Sequence, residues 1–244
     1  PRKRGPRCSS GAALASSGFA APASAYATLG VHKDVVWVRI PVAVAAGSSA
    51  EWILDIDYAV INRVDVFVAT NGQLARSAVL GNLQPAAEGT RDGRVPAALL
   101  DLTPGQQQVI LLRVENIGSM ILPIRLSRPG PFHSSALQEQ MLQGMLTGLG
   151  ICLLLYSLAQ WINLREPLFG KFALLVAGTT MFSVEFFGIG SQYLWKGNVW
   201  MNLHAGGLFA LMAACGAYLF VEQALARPGL DRTFSLLMKT GAAL

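Results

Sequence analysis

The chain has 244 residues, 52% of them hydrophobic and 14% charged, with a mean hydropathy of +0.43, an apolar balance unusual for one soluble domain. Its formal charge of +5 makes no broad basic face for nucleic acid, because Arg2, Lys3, Arg4 and Arg7 crowd the N-terminus while residues 35–133 hold eight basic and eight acidic side chains. Cys8, Cys152 and Cys215 have neither disulfide nor metal spacing, so no metal or cofactor is expected, and the last two read as small apolar residues packed between helices.

The chain starts at Pro1 without a methionine, so an upstream start is expected. Residues 1–30 form a tail: a basic beginning, an Ala-rich middle and Ala23-Ser24-Ala25 suit a signal remnant, and the interrupting Ser, Gly and Pro suit a linker.

From Val35 the apolar pattern takes period two. Strands are predicted at 35–40, 51–57, 63–69, 73–80, 95–102, 108–114 and 120–126, with turns at Asn71-Gly72 and Thr103-Pro104-Gly105. Short strands without intervening helices indicate an all-β antiparallel sandwich over 31–130. Alternation turns Trp52, Leu54, Ile56, Tyr58, Val64, Val66 and Val68 to the core. It leaves Asp55, Asp57, Arg63 and Asp65 on the opposite face, joined by Arg39 and Arg113 from other strands. That face reads either as a ligand-binding surface or as cross-strand ion pairs on a solvated sheet, the commoner arrangement. Trp37 and Trp52 suit stacking on a sugar or, more commonly, a place in the core.

Arg128-Pro129-Gly130-Pro131 ends the last strand, and 131–140 form a joint where Ser134-Ser135 can cap a helix entering the membrane. Residues 141–163 carry no charge, enough at about 1.5 Å per residue to cross a hydrocarbon core. Further spans are expected at 169–187 and 201–221, with a fourth opening near Phe234, so 141–244 form a helical transmembrane region in contact with lipid. Arg165, Lys171, Arg227, Arg232 and Lys239 lie on one side and Lys196 on the other, which places the sandwich outside the cell membrane. Trp161, Tyr193, Trp195 and Trp200 suit interfacial belts. Gly144 and Gly148 form a GxxxG for packing within the bundle, with a homodimer seam as the alternative. Glu185 and His204 stand near the outer ends of neighbouring spans, within reach of each other; they read as snorkelling groups or as a proton or ligand switch.

Several stretches resemble one family. Trp37-Val38-Arg39 is similar to a W-L-R strand. Leu54-Asp55-Ile56-Asp57-Tyr58 with Asn62-Arg63-Val64-Asp65-Val66-Phe67 is similar to L-E-L-D-Y-P-L-L-D-R-V-D-L-Y, with Ala59 in place of the proline. Leu111-Leu112-Arg113-Val114, Gly118-Ser119 and Leu122-Pro123-Ile124-Arg125-Leu126 are similar to its last strand pair, and Gln192-Tyr193-Leu194-Trp195 to a loop after the second span. The family is the bacterial seven-transmembrane receptors with diverse intracellular signalling modules, with a type 2 extracellular domain ahead of the first three to four of seven helices. Residues 81–95 depart from its P-F-x-x-R run, and strands ahead of W-L-R are not evident.

The resemblance implies a jelly roll like a carbohydrate-binding module, periplasmic on a bacterial inner membrane, that senses a small-molecule or carbohydrate ligand. It also implies a cytoplasmic output, a diguanylate cyclase or histidine kinase, beyond these residues. The ligand-site candidates are Trp37, Arg39, Asp55, Asp57, Arg63, Asp65 and Arg113, with Glu185 and His204 in the membrane. No GxSxG, HExxH or Walker loop is present, so no catalytic residue is assigned. The alternatives are a membrane-anchored binding module without signalling and a transporter-like protein.

Overall fold

The computed structural model describes residues 18–20, 28–31, 34–84, 89–91, 93–225 and 232–243. Cys8, Ala23-Ser24-Ala25, the basic N-terminal residues and Arg227 lie outside them. The chain divides into two compact units, Pro1–Ala136 and Leu137–Leu244.

The first unit is an antiparallel sandwich. Its strands are β1 (Thr28–Val31), β2 (Val36–Ala43), β3 (Glu51–Ile56), β4 (Arg63–Thr70), β5 (Gln73–Leu80), β6 (Thr90–Arg91), β7 (Ala97–Asp101), β8 (Gln107–Glu115), β9 (Ser119–Ile121) and β10 (Ile124–Ser127). One sheet runs β2-β8-β4-β5, the other β10-β3-β7-β6, and β1 pairs with β9 apart from both. Every predicted strand is present. The stretch 120–126 is divided, because Leu122 and Pro123 break the ladder and send β9 and β10 to different sheets. β1 is a short strand ahead of Trp37 that the sequence did not announce.

The core follows from the alternation. Val64, Val66 and Val68 of β4 and Ile110, Leu112 and Val114 of β8 meet Leu54 and Ile56 of β3 and Ala98 and Leu100 of β7 between the sheets. Asn71 and Gly72 both take positive φ, 50° and 78°, as a two-residue hairpin turn between β4 and β5 requires. Gly81, at φ 130°, lies so close to the Asn62 carbonyl that a side chain would collide with backbone. Asparagines lock the same corner: Asn62 Nδ2 donates to Asn82 Oδ1 at 3.1 Å, the Asn62 amide to Asn116 Oδ1 at 3.0 Å, and the Ile117 amide to Asn62 Oδ1 at 2.8 Å.

The second unit is helical. Helix α1 spans Pro129–Leu164, α2 Pro167–Phe186, α3 Val199–Leu225 and α4 Arg232–Ala243. The first three are long and apolar enough to cross a membrane. Residues 131–140, within which the two units divide, are already helical: α1 starts at Pro129, where a proline's missing N–H is no loss, and Ser134 sits inside the helix rather than capping it, its hydroxyl donating to the Pro131 carbonyl at 3.0 Å. The 36 residues of α1 extend about 54 Å, well beyond a hydrocarbon core of about 30 Å. Helix α1 ends where Arg165 takes φ 54°, and Glu166, extended ahead of Pro167, starts α2. Asn198 Oδ1 accepts the Met201 amide at 3.1 Å and caps α3.

Helices α2 and α3 pack through glycine. A methyl on Gly178 would strike the backbone of Ala213, and one on Gly216 that of Leu175, so the helices touch main chain to main chain. Gly144 and Gly148 of the GxxxG have open space at the Cβ position among the described residues. Cys152 is exposed rather than packed, and Cys215 is half-buried.

Candidate functional site

Among the described residues of the sandwich, the densest charge cluster is built on Asp65, at an inner strand of the β2-β8-β4-β5 sheet on the face away from the core. In register Asp65 stands opposite Arg113 of β8, and Arg113 opposite Trp37 of β2. Arg63, two residues along β4, shares the face. Arg76 reaches it through a bulge: Val66 pairs with Ala78 but Phe67 with Arg76, so Ser77 is the extra residue. Asp65 is 3% exposed. Its oxygens accept from Arg63 Nε and Nη2 at 3.2 and 3.1 Å, from Arg113 Nη1 at 3.0 Å, and from Arg76 Nη2. Arg113 Nη2 also donates to Glu115.

Burial alone would raise the Asp65 carboxyl, but the hydrogen bonds from Arg63, Arg113 and Arg76 outweigh it and hold the group below its ordinary 3.8. The bond to Asp65 likewise raises Arg63. Asp65 is therefore a fixed anion at the pH of any cell compartment.

The neighbouring row is aromatic. Arg39 stands opposite Leu111, and Leu111 opposite Phe67. Leu111 is fully buried although Ile110 and Leu112 are the residues that face the inter-sheet core. The Trp37 and Phe67 rings lie 6.1 Å apart and 28° from parallel, and the Arg39 guanidinium sits 5.9 Å from the Phe19 ring centre.

Asp55 and Asp57 do not belong to this face, against the single surface expected. They come from β3 and its end, in the other sheet, because alternation tells in from out and not which sheet a strand joins. Asp55 is buried, in register between Arg125 and Ala97. Asp57 accepts from Arg94 Nη2 at 2.8 Å and from Arg125 Nη2. Thus the structure gathers Trp37, Arg39, Arg63, Asp65 and Arg113 and separates Asp55 and Asp57. Sequence reasoning missed Arg76 and Glu115 on the first face and Arg94 and Arg125 as partners of Asp57.

In the helical unit Glu185 and His204 do not meet. Glu185 of α2 is 3% exposed and accepts from Trp195 Nε1 at 3.0 Å, so it does not snorkel. Trp195 follows a π-helical turn, Gly190–Leu194, and its ring lies where a side chain on Gly190 would have to go. The ring is turned to the bundle, tilted against Phe209 of α3. His204 is exposed, with Nδ1 2.9 Å from the Trp200 carbonyl and its ring stacked on Trp200. At the other end of α3, Glu222 takes Lys171 of α2 at 3.0 Å, Ser235 of α4 at 2.7 Å and Lys239 of α4 at 3.3 Å.

Comparison with known proteins adds two matches. Residues 9–128 match the family described as 7TMR-DISM extracellular 2, and residues 139–244 match that described as 7TM diverse intracellular signalling. No curated protein and no solved structure gives a significant match.

Proposed function

Because this chain belongs to the seven-transmembrane receptors with diverse intracellular signalling modules, we propose that its sandwich senses a periplasmic ligand, a saccharide, and that the helices carry the signal to a cytoplasmic diguanylate cyclase or histidine kinase. The tandem order of sensor domain and seven-helix region carries this reading. The face around Asp65 supports it, with guanidinium donors and two aromatic rings on one sheet. The host membrane is a bacterial inner membrane, with the sandwich outside and the linker between α1 and α2 in the cytoplasm.

A ligand acts only through its differential affinity for two states of the helices, and turning a mostly off population mostly on takes about 5.5 kcal/mol. The covalent route is short, since Arg128 alone separates β10 from α1. Within the sandwich Arg128 lies 5.6 Å from the centre of the Trp52 ring.

The chain has five tryptophans, which makes fluorine NMR of 5-fluorotryptophan protein in lipid nanodiscs a direct test. A glycan panel that moves the Trp37 resonance together with Trp161, Trp195 or Trp200 supports a receptor. Shifts confined to Trp37 and Trp52 favour an anchored binding module. A panel that leaves Trp37 unmoved contradicts the saccharide reading.

A further inference from the structure

The geometry points to an acidic saccharide, one bearing a carboxylate, as the ligand of the exposed face of the β2-β8-β4-β5 sheet; this rests on the reading of the sandwich as a saccharide sensor and narrows it. Arg39, Arg63, Arg76 and Arg113 share this face with two carboxylates, Asp65 and Glu115. Among the described residues, four cations against two anions leave two positive charges in surplus on this face. The surplus is local, because residues 35–133 as a whole are balanced at eight and eight.

The arrangement also leaves donors available. A guanidinium has five N–H groups. Asp65 takes two from Arg63 and one each from Arg76 and Arg113, and Glu115 takes one more from Arg113. Asp65 is buried whereas the three arginine side chains are 28 to 48% exposed, so the donors left over lie on the solvent side of a fixed carboxylate. Their orientation is set before any ligand arrives, which lowers the entropy lost on binding.

Beside them the Trp37 and Phe67 rings, near parallel and half-buried, form a platform on which the C–H face of a pyranose can lie. A sugar carboxylate at the edge of that platform meets the arginines in the planar, two-point geometry that guanidinium favours. A neutral sugar would use the rings and leave the surplus charge unanswered. An inorganic anion would use the arginines and leave the rings bare.

The test uses the full chain in phosphatidylcholine nanodiscs, with trigalacturonate and trimannuronate, the methyl ester of each, and sulfate and acetate as plain anions. Binding is read by titration calorimetry and by the Trp37 fluorine resonance. The acids are expected to bind and move Trp37, and the esters to bind at least tenfold more weakly. Arg39→Gln and Arg76→Gln should each weaken acid binding about tenfold, the scale of one charge-assisted hydrogen bond, and leave ester binding unchanged. Arg91→Gln, in β6 of the other sheet, should leave both unchanged. Esters equal to the acids would overturn the charge assignment while the saccharide sensor stands. Sulfate or acetate binding as tightly as the trisaccharides would reduce the face to a simple anion site. If only neutral glycans move Trp37, the inference falls alone; if no glycan moves it, the sensor reading falls with it.

Discussion

Replacing Asp65 by Asn keeps the size and one acceptor of the side chain and removes its charge. Arg63, Arg76 and Arg113 would then face one another without their shared counter-ion. Removing one partner from a buried pair costs about 3–5 kcal/mol, but these arginines are 37, 48 and 28% exposed and water screens part of the repulsion. The expected loss is therefore about 2–3 kcal/mol, or roughly 10–20 °C in the melting of a domain of this size. Tryptophan fluorescence under urea, with the full chain in detergent and Trp37 and Trp52 as reporters, measures it. The pH dependence adds a second signature. Asp65 titrates below its ordinary value when folded, so its contribution is complete above the unfolded pKa of 3.8 and disappears as pH falls through the lower folded value. Wild type should lose this increment as pH falls below about 3.8, and Asp65→Asn should lack that part of the dependence. Unfolding free energies that agree at pH 7 to within about 0.5 kcal/mol would reduce the cluster to ordinary surface pairs.

Gly81→Ala should destabilise the sandwich by about 2–4 kcal/mol in the same urea experiment, since its Cβ meets Asn62 backbone at a φ that L residues avoid. Gly178→Val and Gly216→Val should separate α2 from α3 and lower the aggregation temperature in detergent, whereas Gly144→Ala and Gly148→Ala, with open space at each Cβ, should leave it unchanged. Glu222→Gln should loosen α4, read as faster trypsin cleavage within residues 232–243, because Lys171 and Lys239 lose their common anion.

The strands were legible because each is short, alternating and bounded by turn residues, and the core residues of β4 and β8 are the ones alternation picks. The site was legible only in part. Period two gives the face of a strand but not its sheet, so Asp55 and Asp57 were grouped with Asp65 although they lie across the sandwich. Arg76 was missed for a sharper reason. Without the bulge the β4–β5 register would set Arg76 opposite Val68, on the core face; the extra residue Ser77 reverses its side. A charged residue at core parity inside an apolar strand is the signal that was available. Arg128-Pro129-Gly130-Pro131 reads as the end of the last strand, yet the first turn of a helix tolerates proline, so α1 starts earlier than the uncharged run suggests. The partner of Glu185 was beyond reach, because a π-helical turn carries Trp195 back to α2.

The most direct test of a sensor displayed outside and joined to crossing helices is labelling of single cysteines in intact cells with a membrane-impermeant thiol reagent. Gln73→Cys sits exposed at the start of β5 and Glu166→Cys exposed between α1 and α2, each in a chain with its native cysteines changed to serine. Gln73→Cys should label in intact cells and Glu166→Cys only after the inner membrane is permeabilised. Labelling of both from the same side, or the reverse pattern, would contradict that placement.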